Sequence, residues 1–181
     1  MFTAKHLPNQ LPGEKAIKIY RRHWIVPLKT ILFYILLGAI PFIFYYLVSN
    51  ATEEWLTGSM SYPLLVLGAS IYFLFIILFF FHSFIDYYLD VWIVTNKRVI
   101  NIEQKGLFAR VISEQKLGRV QDVTSEVEGI LPTIFNYGHV YIQTAGETQR
   151  FNFWEVPNAH NVARTIHEVV DKYKAEHPDE D

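Results

Sequence analysis

The stretch from Tyr62 to Ile85 constrains this chain more than any other. Its 24 residues include no Asp, Glu, Lys or Arg and are dense in Leu, Ile and Phe. At a rise of about 1.5 Å per residue, a helix of this length reaches roughly 36 Å, more than the roughly 30 Å hydrocarbon core of a bilayer. No long loop follows it. Ser83-Phe84-Ile85-Asp86 leads almost directly into Tyr87-Tyr88-Leu89-Asp90-Val91-Trp92-Ile93-Val94, which reads as a β-strand. A spanning helix that feeds straight into a β domain holds that domain within a few residues of the lipid surface.

A second apolar run precedes it. Thr30–Val48 is uncharged and lies in a first spanning segment over residues 25–48, with Lys29 placed to snorkel outward. Pro41 is expected to kink this helix, its freed carbonyl satisfied by a neighbour. Residues 1–24 are basic, broken early by Pro8, Pro12 and Gly13, and read as a cytoplasmic interfacial segment. Arg21 and Arg22 suit the phosphates there, and Tyr20 and Trp24 suit the headgroup level. The long basic region without a small-residue cleavage site argues against a signal peptide. The linker over 49–61 carries Glu53 and Glu54 but no Lys or Arg, so the positive-inside rule places it outside. The expectation is a two-helix hairpin, 25–48 and 62–85, in the cytoplasmic membrane with both termini in the cytoplasm. Gly68-Ala69-Ser70 is a small-residue patch fit for close helix packing, and His82 reads as an interfacial side chain.

From residue 86 the period changes to two. Leu89, Val91 and Ile93 share one strand face, while Tyr88, Asp90 and Trp92 take the other, outward one. Thr95-Asn96-Lys97 is a turn, Arg98–Glu103 the return strand, Phe108–Gln115 a third strand and Arg119–Val127 a fourth. Gly129–Phe135 is a helical turn or loop plugging the core. His139–Thr144 and Gln149–Trp154 form a hairpin around Ala145-Gly146-Glu147, giving about six short antiparallel strands. Asn158 is placed to cap a helix whose apolar stripe is Val162, Ile166, Val169, Val170 and Tyr173. Residues 176–181 read as a disordered tail. A bent antiparallel sheet, or partly open barrel, capped by one C-terminal helix is the pleckstrin-homology (PH) architecture, here over residues 86–175.

Four stretches carry a resemblance to the bacterial membrane-anchored PH-domain family. They are Arg21-Arg22-His23-Trp24-Ile25-Val26, Val94-Thr95-Asn96-Lys97-Arg98-Val99-Ile100, Lys116-Leu117-Gly118-Arg119-Val120-Gln121-Asp122-Val123, and Phe135 to Gly146 with its Gly-rich turn. Their order and spacing over residues 14–175 resemble that family, which implies a PH-like fold behind two transmembrane helices and little about activity.

Composition removes several functions. The chain has no Cys, which excludes disulfides, thiol chemistry and Cys-based zinc sites. Residues 86–181 carry 10 Lys+Arg against 15 Asp+Glu, a balance of −5 within a whole-chain charge of −2, which argues against nucleic acid as a partner. His160 and His167 share the last helix but stand seven apart, too far for two metal ligands on one turn. No nucleophile elbow, P-loop or dinucleotide fingerprint is present. Arg119 and Asp122 face opposite sides of a strand and read as structural. No catalytic residue, metal or cofactor is expected, and the protein reads as a non-enzyme. PH-like folds of eukaryotes often bind inositol phosphates near the first hairpin. The resemblance therefore nominates Lys97 and Arg98, with Lys105 and Arg110 further along, as anionic-lipid contacts, and Arg21, Arg22, Trp24 and Lys29 as membrane-interface residues. The expected function is a membrane-anchored interaction or scaffolding module at the inner leaflet. Its partners would be anionic lipid, another protein or another copy, with Tyr88 and Trp92 as an exposed contact face. The alternative is an oligomer whose helices line a channel, with Thr30, Tyr34, Tyr45, Ser70 and Tyr72 as polar lining.

Overall fold

The computed structural model describes residues 7–51, 58–144 and 151–178. The chain forms two compact units: Pro27–Ile85, and a domain built from the residues up to Val26 together with those from Asp86 onward.

The first unit contains most of two long helices, α1 (Ile25–Ala51) and α2 (Ser61–Leu89). Both are long and apolar enough to cross a membrane, and no residue of their most apolar stretches is buried in protein. Their exposed residues are mostly large and apolar, as a spanning helix would need. Pro41 lies inside α1. A proline has no N–H, so the carbonyl four residues back, that of Leu37, loses its helical donor. The Tyr72 hydroxyl of α2 donates to that carbonyl at 2.9 Å. A second polar contact, Tyr34 to Ser83 at 3.2 Å, and rings such as Phe42 on Phe73 complete the pairing. The Ser70 hydroxyl turns back to its own helix, at Val66.

The domain starts before α1. Ala16–Tyr20 is a strand, β1, where an interfacial segment was expected. It pairs antiparallel with β2 (Val91–Thr95), its neighbour in space although both long helices separate them in sequence. The alternation Ile17-Lys18-Ile19 was the local sign of it. β3 (Arg98–Lys105) and β4 (Ala109–Lys116) complete a four-stranded sheet in the order β1-β2-β3-β4. A 3₁₀ turn at Leu117–Arg119 leads to β5 (Val120–Glu126). The short helix α3 (Ile130–Phe135), β6 (Tyr137–Thr144) and β7 (Phe151–Pro157) follow, and β5-β6-β7 form a second antiparallel sheet. The described strands number seven. The core lies between the sheets and the C-terminal helix α4 (Ala159–Glu176), where Val162, Ala163, Ile166 and Val170 meet Val94, Val99, Val140, Ile142 and Phe153.

Within the first sheet, β2 and the first half of β3 are covered on both faces. Trp92, Val94 and Val99 face the main core, while Val91, Ile93, Ile100 and Ile102 form a second cluster covered by Leu7 of the N-terminal segment. This corrects the reading of Trp92 as outward. It is 2% exposed and stacks on Phe153 at 5.3 Å. Tyr88 is exposed, but on α2, which continues to Leu89. α3 buries none of its residues and so does not plug the core. Asn158 precedes α4 in a left-handed conformation and makes no side-chain cap; its side chain meets that of Asn136 instead. Gly138 is required by close approach, since a Cβ there would run into the Glu126 carbonyl and lie 2.9 Å from Val127. The turn at Ala145–Glu147 lies outside the described residues, as does the end of the tail, while Glu176 closes α4.

Candidate functional site

Three places hold the nominated residues: the junction before α1, the β2–β3 hairpin and the β3–β4 hairpin.

At the junction, Arg21, Arg22, His23 and Trp24 each do something different. Arg21 lies over the Tyr88 ring, 5.5 Å from its centroid. Arg22 pairs with Asp90 at 2.6 Å, joining the residues that leave β1 and enter β2. Asp90 also accepts the Gln104 N–H at 2.8 Å. Burial raises the Asp90 carboxyl above its ordinary value, and the Gln104 N–H and the Arg22 charge only partly offset this. Arg22 was expected at lipid phosphates; the structure commits it to a buried carboxylate. His23 is buried, stacks on Tyr137 at 5.1 Å, and accepts the Ile25 N–H on Nδ1, satisfying an orphan donor of the first turn of α1. Trp24 is exposed and meets Phe135 of α3 edge-on at 5.8 Å. Lys29 is exposed on α1.

At the β2–β3 hairpin Arg98, nominated as a lipid contact, is turned inward. Arg98 is 4% exposed, because β3 turns it onto the face covered by the N-terminal segment. Its Nε donates to Glu14 at 2.9 Å and its Nη2 to Glu14 at 3.0 Å. Nη2 also reaches the carbonyls of Pro8 and Asn9 at 2.9 and 2.8 Å, and Nη1 pairs with Glu114. Glu14, itself buried, accepts the Leu11 N–H and the Thr95 hydroxyl, both at 2.9 Å. Burial alone would raise the Glu14 carboxyl, but the hydrogen bonds from Arg98, Leu11 and Thr95 and the Arg98 charge outweigh it and hold the group below its ordinary value. Hydrogen bonding to Glu14 likewise raises the Arg98 guanidinium. Lys97 donates to the Pro12 carbonyl at 2.8 Å. The hairpin therefore clamps an N-terminal strap, with Asn96 bonded to Lys15 and Gly13. Sequence reasoning missed Glu14 as the partner because 84 positions separate it from Arg98. A cleft of about 310 Å³ opens beside this clamp, with Lys116 and Arg119 in its wall.

The β3–β4 hairpin is different. Lys105 and Arg110 are exposed and flank its tip, where Lys105 faces Ala109 and Gln104 faces Arg110. The Gly106 N–H donates to Asp86 at 3.0 Å, pinning the tip to the last turn of α2. Between the cations lie Leu107 and Phe108, both exposed.

On α4, His160 meets Ser125 at 2.7 Å and His167 stands 4.0 Å from Asp122. Asp122 accepts the Val123 N–H and the Thr124 hydroxyl. Among the described residues, no group of three or more His, Asp or Glu is arranged to hold a metal.

Two long apolar helices, antiparallel sheets and a closing C-terminal helix define a PH-like module. The chain belongs to the bacterial PH-domain family, whose model matches residues 25–170. The match begins at Ile25 and so omits β1 and the strap. Among solved structures the chain is similar to a DUF1696-family protein with a pleckstrin-homology domain from Shewanella loihica. The identity is 15%, the TM-score 0.36, and the match covers 46% of this chain and 69% of that one. Comparison with curated proteins returns no match.

Proposed function

We propose that this protein is a non-enzymatic PH-like interaction module, anchored in the cytoplasmic membrane by α1 and α2 and facing the cytoplasm. The observation that carries this reading is the pairing of β1 with β2. Strands that hydrogen-bond in one sheet lie on one side of a bilayer. If α1 crosses, α2 must cross back, which supports a hairpin with both flanks on the same side. The sign of the flanks supports the cytoplasmic side: Lys15, Lys18, Arg21, Arg22 and Lys29 precede or open α1, while the linker between the helices carries Glu53 and Glu54 and no cation. Lys105 and Arg110 are the proposed contacts to anionic lipid, each worth about 1 kcal/mol near a charged leaflet. Lys97 contributes to the same field from beside the strap, and Trp24 and Lys29 serve the interface.

The test uses the absence of native cysteine. Glu54→Cys and Glu168→Cys variants are exposed to a membrane-impermeant maleimide in whole cells. Labelling of position 54 in intact cells, and of position 168 only after permeabilisation, is expected. Labelling of both in intact cells, or of neither before permeabilisation, contradicts the topology.

A further inference from the structure

Two exposed apolar surfaces of the domain sit where the chain passes between sheet and long helix. The first is the β3–β4 tip. Phe108 is 99% exposed and Leu107 beside it is also exposed. The tip is not a free loop: Gly106 bonds to Asp86 on the last turn of α2, and Gln104 bonds to Asp90 one residue beyond that helix. The second is α3, whose Ile130 and Ile134 are 79% and 68% exposed. Its Phe135 is met by Trp24, the residue immediately before α1. Each surface thus touches a residue at the end of a helix apolar enough to span a bilayer. Large aromatic and aliphatic side chains left in water are a liability, whereas at the headgroup and acyl boundary they are favoured, above all beside cations. Lys105 and Arg110 supply those cations at the tip.

We infer that Leu107–Phe108 and Ile130–Ile134 insert into the interfacial layer of the bilayer as two apolar feet, seating the domain on the lipid surface. This rests on the reading of α1 and α2 as spanning helices and adds a surface that those helices do not require. The lipid boundary is favoured over a protein partner because both surfaces continue, through Asp86 and Trp24, into the apolar helices.

The experiment is site-directed spin labelling of the full chain in phosphatidylcholine–phosphatidylglycerol proteoliposomes. Single cysteines replace Phe108, Ile134, Leu74 and Glu168, all exposed side chains, so the fold is not disturbed. Accessibility to oxygen, which concentrates in lipid, is compared with accessibility to an aqueous nickel chelate. Labels at 108 and 134 are expected to favour oxygen and to meet the chelate several-fold less than the label at 168. Chelate access at 108 and 134 equal to that at 168 overturns the inference. So does shielding from both reagents, which would mean a protein surface covers the patches, and so does insertion of only one of the two. The label at 74 separates the readings: an aqueous position 74 removes the spanning helices themselves, while a lipid-exposed 74 with aqueous 108 and 134 removes only the feet.

Discussion

At the β2–β3 hairpin, Lys97 and Arg98 meet a strap of N-terminal chain; at the β3–β4 hairpin, Lys105 and Arg110 flank Leu107 and a fully exposed Phe108. The two turns share one sheet and a similar basic composition. They differ in what lies opposite. Glu14 and the carbonyls of Pro8 and Asn9 face Arg98 and enclose its guanidinium, whereas at the second tip Asp86 accepts the Gly106 N–H and Leu107 and Phe108 stay exposed. A cation in a hairpin is therefore not by itself a headgroup ligand. Arg98 shows why: the fold buries it against Glu14.

The sharpest way to break this contrast is Glu14→Ala. Removing one partner of a buried ion pair leaves an uncompensated charge and costs about 3–5 kcal/mol. Chemical denaturation of the purified protein in detergent should show that loss, while Phe108→Ala should stay within about 0.5 kcal/mol of the parent. Equal losses would erase the distinction between a sealed and an open turn.

Acid titration sharpens it next. The folded Glu14 carboxyl lies below its ordinary 4.5, so its contribution is complete above that value and is lost as pH falls through the lower folded value. Asp90 has the opposite sign: its folded carboxyl lies above the ordinary 3.8, so its ionised form costs stability at neutral pH and relief comes on acidification. Stability measured against pH should fall steeply below about 4.5, and Glu14→Gln should flatten that fall.

Gly138→Ala tests whether such effects are specific to the hairpins. Its methyl group would meet the Glu126 carbonyl and Val127, remote from either turn, at a cost of about 1–3 kcal/mol. Denaturation should register this loss without altering the pH profile. A small loss is expected in the other unit. Tyr72→Phe leaves the Leu37 carbonyl beside Pro41 without its donor, and such bonds between membrane helices average about 0.6 kcal/mol. Unfolding of the helix pair in mixed micelles should detect it.

Local signals were legible in the sequence and long-range ones were not. The two apolar runs, the period-two segments after residue 86, the turn at Asn96-Lys97 and the stripe of α4 depend on neighbours in the chain, and the family resemblance rests on the same segments. β1 was missed because its pairing with β2 spans both long helices, although Ile17-Lys18-Ile19 carried a faint strand period. Trp92 was placed outward because alternation was read as one buried and one wet face, whereas every residue of β2 is buried. α3 was assigned to the core because a short, mostly apolar run does not say what covers it. Of the nominated lipid contacts, Lys105 and Arg110 stand exposed at a tip, while Arg98 has a partner that no local pattern reveals.

The most direct test is hydrogen exchange of the full chain in nanodiscs, comparing zwitterionic with anionic lipid at low and high salt. The account predicts slower exchange over residues 105–110 in anionic lipid, reversed by salt, with residues 95–98 slow in every condition. Protection at 95–98 that depends on lipid charge, with none at 105–110, would contradict it.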